Sequence, residues 1–441
     1  MRRFLFLATC FASLAVCVAP AGADTLQEAL RAANGTNPQL DAQRAQAEIA
    51  QEELIAAKGA RLPNVEANAQ YGPERVATNR SLVLDVGGRQ IASASIQAVQ
   101  PIYAGGRILA GIRSARAGID ASDAQLEVVR QDTFLQTVTA YVDVRRDRET
   151  LIIRQGSVDL LDEQYRAAKD RFEVGEITRT DVALAEARLE SARANYALAE
   201  SQIEGSSATY TFLVGFEPGT LEEPPALNTL PQTFEEALEI ALAHNPDISA
   251  AEHNERVAKE QIETARSRLR PEVNVVGSAA IQGTLNQPDS VATPFGPGGP
   301  TPNFRDRNFS AFAQARVPIY QGGVARSQVR SAKLQRTQAR LQIETMRRQT
   351  VSQVATAWHG YRAAVIGIEA SKRGVIAAEI AYEGGTEELA VGVRTTLDVL
   401  DQEQDLLEAR LGVIEAERDA YVAGHQLLRA MGQLTVSRLG L

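Results

Sequence analysis

This 441-residue chain is written twice, and that limits its fold more than any other feature. At an offset of 208, Thr25, Glu28, Ala29, Leu30, Asn37, Pro38, Pro63 and Val65 meet Thr233, Glu236, Ala237, Leu238, Asn245, Pro246, Pro271 and Val273. At an offset of 217, Pro101, Ile102, Tyr103, Gly105, Gly106, Arg113 and Ser114 meet Pro318, Ile319, Tyr320, Gly322, Gly323, Arg330 and Ser331. The same offset carries Val174, Gly175, Thr178, Asp181, Val182 and Gly215 onto Val391, Gly392, Thr395, Asp398, Val399 and Gly432. It grows by nine once, between residues 65 and 101. A repeat that otherwise keeps register prescribes two copies of one rigid unit.

Each copy runs through the same signals. Asn37-Pro38 and Asn245-Pro246 predict helix starts, since asparagine caps free backbone donors and proline suits the first helical position. The Ala/Glu/Gln-rich helices that follow stop before Pro63 and Pro271. The period then changes: apolar and polar residues alternate over 64–71, over 309–317, and more loosely over 92–100 and 273–282. Such segments suit strands with one face in lipid and one in water, and equally a surface strand of a soluble sheet. The longer intervening loop, 284–307, holds Pro288, Pro294, Pro297, Pro300 and Pro302 and takes up the insertion.

Pro-Ile-Tyr-x-Gly-Gly follows the second strand of each pair. Its glycines (Gly105, Gly106, Gly322, Gly323) permit a sharp exit, and Tyr103 and Tyr320 suit a membrane interface. Residues 107–173 and 324–390 are then free of proline, and as helices each would be about 100 Å long. Heptad steps at Val351, Val354, Trp358, Tyr361, Val365 and Ile368 predict coiled-coil seams, as do Leu151, Val158, Tyr165 and Phe172. Both long segments end in one turn pattern. Gly175 and Gly392 fit a helix stop, and Thr178-x-x-Asp181 and Thr395-x-x-Asp398 have capping-box spacing. Turn chemistry alone would explain these residues, with Arg394 and Asp401 as solvated charges; Asp398 and Asp401, three apart, share a helix face.

Arg2 and Arg3, the apolar run 4–19 and Ala21-Gly22-Ala23 have the layout of a secretory signal peptide cleaved before Asp24, a better fit than lipidation at Cys17. Without Arg2 and Arg3 the chain carries 44 basic and 55 acidic residues, a net of −11, which disfavours nucleic acid. Both cysteines, Cys10 and Cys17, lie in the signal, so no disulfide, thiol nucleophile or cysteine metal site is expected. His244, His253, His359 and His425 lack metal spacing, and no phosphate loop or nucleophile motif appears, so no enzyme, metal or cofactor is expected. No later stretch approaches the roughly 20 apolar residues of a spanning helix. Four strands cannot close a barrel, and an open edge cannot persist in hydrocarbon, so a barrel requires several copies.

Taken together, the signal, the Asn-Pro starts, the Pro-Ile-Tyr-x-Gly-Gly exits, the Val-Gly-x-x-Thr-x-x-Asp-Val turns and the two-fold repeat resemble the TolC-type outer-membrane channels of Gram-negative bacteria. The resemblance covers essentially the whole mature chain. It implies a mainly α protein with a membrane β-barrel: a homotrimer whose twelve strands in the outer membrane continue into an α-helical barrel in the periplasm. It further implies an exit duct for type I secretion or for drug and small-molecule efflux. The partners would be a periplasmic adaptor, an inner-membrane ABC or proton-driven pump, and outer-membrane lipid. The helical tips would close the mouth: Arg394 would link to Asp181, Asp398 and Asp401 would form acidic rings, and Gly175, Thr178, Gly392 and Thr395 would shape the turns that meet the adaptor. Mutual repulsion in such a ring would raise the carboxylate pKa values. Leu389 stands where the best-known members have a tyrosine.

The domains expected are a signal (1–23), a first repeat of helix, two strands and helical hairpin (24–215), a connector (216–232), a second repeat (233–432) and a short tail (433–441). The reading from a different class is a secreted or periplasmic coiled-coil structural or adaptor protein without a channel.

Overall fold

The computed structural model describes residues 25–74, 89–227, 230–285, 292–293, 296–297 and 305–439. The signal segment with Cys10 and Cys17, and most of the loop residues between paired strands, lie outside them. Each repeat begins with two helices where the sequence reading expects one. In the first they are α1 (Leu26–Thr36) and α2 (Pro38–Gly59); after them come β1 (Asn64–Glu74), β2 (Arg89–Ala104), α3 (Arg107–Glu173) and α4 (Arg179–Val214). The second has α5 (Phe234–His244), α6 (Pro246–Ser267), β3 (Glu272–Leu285), the two-residue β4 (Ala292–Thr293) and β5 (Gly296–Pro297), β6 (Arg305–Arg316), α7 (Val324–Ala390) and α8 (Thr396–Ala430).

The extra helices are locally encoded. Thr25 accepts from the Glu28 N–H, and the Glu28 carboxylate accepts from the Thr25 N–H, closing a capping box; Thr233 caps α5 by accepting from the Glu236 N–H, while the Glu236 carboxylate accepts from the Gln232 N–H. Asn37 then serves two helices at once. It ends α1, and its Oδ1 accepts from the Gln39 N–H at 2.9 Å to open α2. Its Nδ2 donates to the Leu213 carbonyl, as the repeat-equivalent Asn245 donates to that of Ala430 at 3.0 Å. These amides occupy carbonyls that a helix end leaves without a partner.

The chain divides into two compact units. One comprises the described residues up to Asp41, residues 129–245 and those from 350 onward. Its core gathers Phe134, Tyr141, Tyr210, Trp358, Leu427 and Met431. The connector is fastened there: the Tyr141 hydroxyl donates to the Glu222 carbonyl at 2.8 Å, and the Arg148 guanidinium donates to those of Pro218 and Gly219.

The other unit comprises residues 42–128 and 246–349 and holds an antiparallel sheet of order β1-β2-β3-β6. Register places Ala67, Ile96, Ala279 and Phe309 in one transverse row and Val65, Ala98, Gly277 and Ala311 in the next, so these rows of one face are apolar across all four strands, while Arg305 and Arg307 lie on the same face at the start of β6. The opposite face carries Glu66, Gln97, Ser278 and Ser310, with the two serine hydroxyls 2.7 Å apart. Among the described residues β1 and β6 pair on one side only.

The two Pro-Ile-Tyr-x-Gly-Gly segments differ. Tyr103 lies inside β2, past a bulge, and pairs with Val273, whereas β6 stops at Arg316 and Tyr320 lies beyond it. The first segment has β3 beside it and the second has an open edge. All four glycines take positive φ, as a reversal from strand to helix requires.

Candidate functional site

The site lies where α3 meets α4 and α7 meets α8. Each turn is a helix stop followed directly by a helix start. In the first, the Glu176 N–H donates to the Arg171 carbonyl and the Gly175 N–H to that of Phe172; in the second, Val393 donates to Glu388 and Gly392 to Leu389. That is a Schellman pair with glycine in the left-handed position, φ 82° at Gly175 and 77° at Gly392. Leu389 is half-buried there.

Thr178 and Thr395 then cap α4 and α8. The Asp181 carboxylate accepts from the Thr178 N–H at 2.9 Å and from its hydroxyl at 2.8 Å; Asp398 accepts from Thr395 at 3.1 and 2.7 Å. These donors hold both carboxyls below the usual carboxylate range, with Arg394 adding to the effect at Asp398. Within one chain the direction is therefore opposite to that expected of a repelling ring, because repulsion would have to come from other copies.

The remaining gate candidates have partners inside the chain. Arg394 Nε lies 2.6 Å from Glu388, on the same turn, and Asp181 stays in its capping box, so one chain does not bring Arg394 and Asp181 together. Asp401 lies 2.5 Å from Arg188 of α4. Residues 401 and 188 join the second hairpin to the first.

A second cross-hairpin contact escaped the sequence reading. Glu403 of α8 is 8% exposed and accepts from the Gln164 amide of α3 at 3.0 Å, while the other amide atom, Gln164 Oε1, is buried without a partner. Burial pushes the Glu403 carboxyl up, against the opposing pull of Gln164 and Arg188; burial likewise raises Tyr382 of α7, with the Glu403 charge adding to it. Leu161, Leu189, Ala192 and Leu400 pack around this joint. Its only sequence signal is an acid on the same α8 face as Leu400 and Leu407, and a search for charges within the apolar seam would have found it.

A pH response follows, with its sign. An acid whose folded pKa is raised stabilises the fold fully below the ordinary carboxylate pKa, about 4.3, and that contribution is lost as pH climbs through the raised value. A protonated Glu403 can also donate to the unpartnered Gln164 oxygen, giving a two-bond pair. Mild acid is thus expected to tighten the α3–α8 joint, and Glu403→Gln to remove that response. Hydrogen exchange at residues 160–168 and 399–407, at neutral and mildly acid pH, measures it; equal pH dependence in the two proteins would exclude Glu403 as its source.

No group of three metal-binding side chains occurs among the described residues. No helix among them is long and apolar enough to cross a membrane, which says nothing of a β-barrel.

The profile of the family described as "Outer membrane efflux protein" matches residues 29–215 and 237–433, one stretch for each repeat. The chain belongs to the outer membrane efflux protein family. This efflux protein is 32% identical over 419 residues to outer membrane efflux protein BepC of Brucella suis, covering 95% of this chain and 87% of BepC. It is 26% identical over 424 residues to outer membrane protein TolC of Escherichia coli, covering 93% and 83%. Its fold matches that of the Campylobacter jejuni CmeC outer membrane channel with a TM-score of 0.77 at 17% identity, covering 92% of this chain and 85% of CmeC. Efflux proteins of this family are outer-membrane channels that extend into the periplasm, not enzymes.

Proposed function

We propose that three copies of this efflux protein form a passive exit duct, closed at the periplasmic helical tips until an adaptor and an inner-membrane pump engage them. The observation that carries the reading is the sheet: four strands, one face apolar across its central rows, and, among the described residues, two edges without partners. An apolar sheet face suits lipid, but an open edge in hydrocarbon leaves backbone donors and acceptors unsatisfied, so copies must close on one another. Two copies would give about eight strands around an interior filled by side chains; three give about twelve and leave a lumen lined by the polar face. The duct serves type I secretion or small-molecule efflux, and a deletion strain scored for secreted proteins and for drug sensitivity separates the two.

At the tips, three-fold symmetry would bring Asp398 and Asp401 of each copy around the mouth and set Arg394 of one copy beside Asp181 of the next. Gly175, Thr178, Gly392 and Thr395 shape the turns offered to the adaptor, where Val174, Val391 and Val393 are exposed. Replacing Asp398 and Asp401 by alanine is expected to lower cation selectivity in a salt gradient, and Arg394→Ser to raise single-channel conductance. An unmoved reversal potential together with unchanged conductance would place the constriction elsewhere. A heat-sensitive oligomer of three copies in the outer-membrane fraction tests the assembly; recovery as a soluble periplasmic monomer would sink it.

A further inference from the structure

Where the sheet gives way to the long helices, a cavity of about 330 Å³ opens in the unit that carries the strands, and arginine dominates its wall. Arg107 is the first residue of α3, Arg268 and Arg270 lie between α6 and β3, and Arg316 is the last residue of β6; against them the wall sets Glu272. Two of the arginines hold the fold. Arg270 donates to the Gly105 carbonyl at 3.0 Å and lies 3.3 Å from the Glu263 carboxylate, and Arg268 donates to the Gln328 amide oxygen at 2.7 Å. The other two are uncommitted: among the described residues neither Arg107 nor Arg316 has a hydrogen-bond or ion-pair partner. Arg316 stands opposite Glu272 in the β3–β6 register, with no ion pair between them.

The repeat does not require this charge. The counterparts of Arg268, Arg270 and Arg316 are Ala60, Leu62 and Val99, and that of Arg107 is Val324. At each of the four positions the other repeat builds the same passage from strand to helix with a neutral residue. Even with Arg270 neutralised by Glu263, the wall stays positive. Both α3 and α7 begin at it, at Arg107 and Val324, and helix N-termini carry a partial positive charge that adds to the field. A concave space with walls of low dielectric concentrates such a field, and a guanidinium fork matches the paired oxygens of a phosphate or carboxylate.

From this we infer that the niche binds a multiply charged anion of phosphate or carboxylate chemistry, with Arg107 and Arg316 as its contacting residues. It opens on the polar side of the sheet, because Glu272 and Arg316 share the face of Ser278 and Ser310. Its place in the lumen rests on the duct reading above, whereas its chemistry does not. On that reading the niches of three copies form a basic belt inside the duct, at the opposite end of α3 and α7 from the acidic turns. Exported molecules with anionic groups are held at the belt, while the tips favour cations. A lipid headgroup has the same chemistry, but lipid meets the apolar face and the niche lies on the other.

The probe is inorganic pyrophosphate. Titrated calorimetrically into the purified protein in detergent, it is expected to bind the parent, and Arg107→Gln with Arg316→Gln to weaken binding about tenfold or more, because charge-assisted hydrogen bonds are lost. Arg326→Gln with Arg330→Gln removes the same charge from the other side of α7, about half a turn round from Val324 and Gln328. Screening by salt limits its effect to less than about twofold. Pyrophosphate added on the barrel side of a planar bilayer should block the current with the same ranking, whether or not the bilayer contains phosphatidylglycerol.

A parent that binds no pyrophosphate would overturn the inference. So would an equal loss in the two double variants, since a diffuse field would then suffice. A block that appears only with phosphatidylglycerol would give the niche to a lipid headgroup and overturn its place in the lumen. Binding with the expected ranking by a protein that passes no current would remove the duct reading and leave the niche standing.

Discussion

Replacing Gln164 and Arg188 together by alanine is expected to raise the single-channel conductance and lengthen the open state. The two side chains hold α8 to α3 and α4 through Glu403 and Asp401. A hydrogen bond to a charged group contributes about 1.5–3 kcal/mol and an exposed ion pair about 0.2–1 kcal/mol. If the closed tip loses about 2 kcal/mol relative to the open one, the closed-to-open ratio falls roughly 30-fold. The measurement is the open fraction in planar bilayers, with each single variant alongside. Gln164→Ala is expected to have the larger effect, because it leaves the buried Glu403 without its amide donor while Arg188→Ala frees a carboxylate that water can reach. A double variant that stays closed like the parent would show that the joint does not oppose opening.

The largest loss of stability is expected from Gly432→Ala. Gly432 sits at φ 70°, and an added Cβ would lie 2.5 Å from the His244 carbonyl oxygen and 2.8 Å from the Asn245 Cα. Both obstacles are backbone, so neither can rotate away. The left-handed conformation costs a residue with a Cβ about 1–2 kcal/mol, and forcing atoms into packed space about 1–3 kcal/mol more. Gly392→Ala isolates the first contribution, since its φ is 77° with nothing within 4 Å of the added carbon. Thermal unfolding of the purified variants should therefore place Gly432→Ala well below Gly392→Ala, and equal melting temperatures would mean that the α5–α6 junction yields.

Some of this was legible before any coordinates. The helices α3 and α7 fill the 67-residue intervals without proline, because nothing in either segment interrupts backbone hydrogen bonding. The strands follow the alternation, since a sheet with two unlike faces leaves a period of two. The capping boxes at Thr178 and Thr395 are local, and their spacing suffices to write them down. Two kinds of feature were not legible. The helices α1 and α5 carry their start signals at Thr25 and Thr233, yet Asn37 and Asn245 both end one helix and begin the next, which hides the break. The pairs Arg188–Asp401 and Gln164–Glu403 join residues 213 and 239 apart. No spacing rule reaches that far; which helices become neighbours decides it.

The two turns have a consequence for how such a chain diversifies. Arg394 and Asp401 correspond across the repeat to Ile177 and Leu184, while Asp398 corresponds to Asp181. The capping carboxylate that both turns need is present in both, whereas the charges that capping does not need fall at different positions: Glu176 and Arg179 in the first turn, Arg394 and Asp401 in the second. A chain carrying a single repeat would have to place every tip charge at every hairpin. Two copies within one chain lift that obligation, because each hairpin can carry its own set of tip charges around the shared capping aspartate.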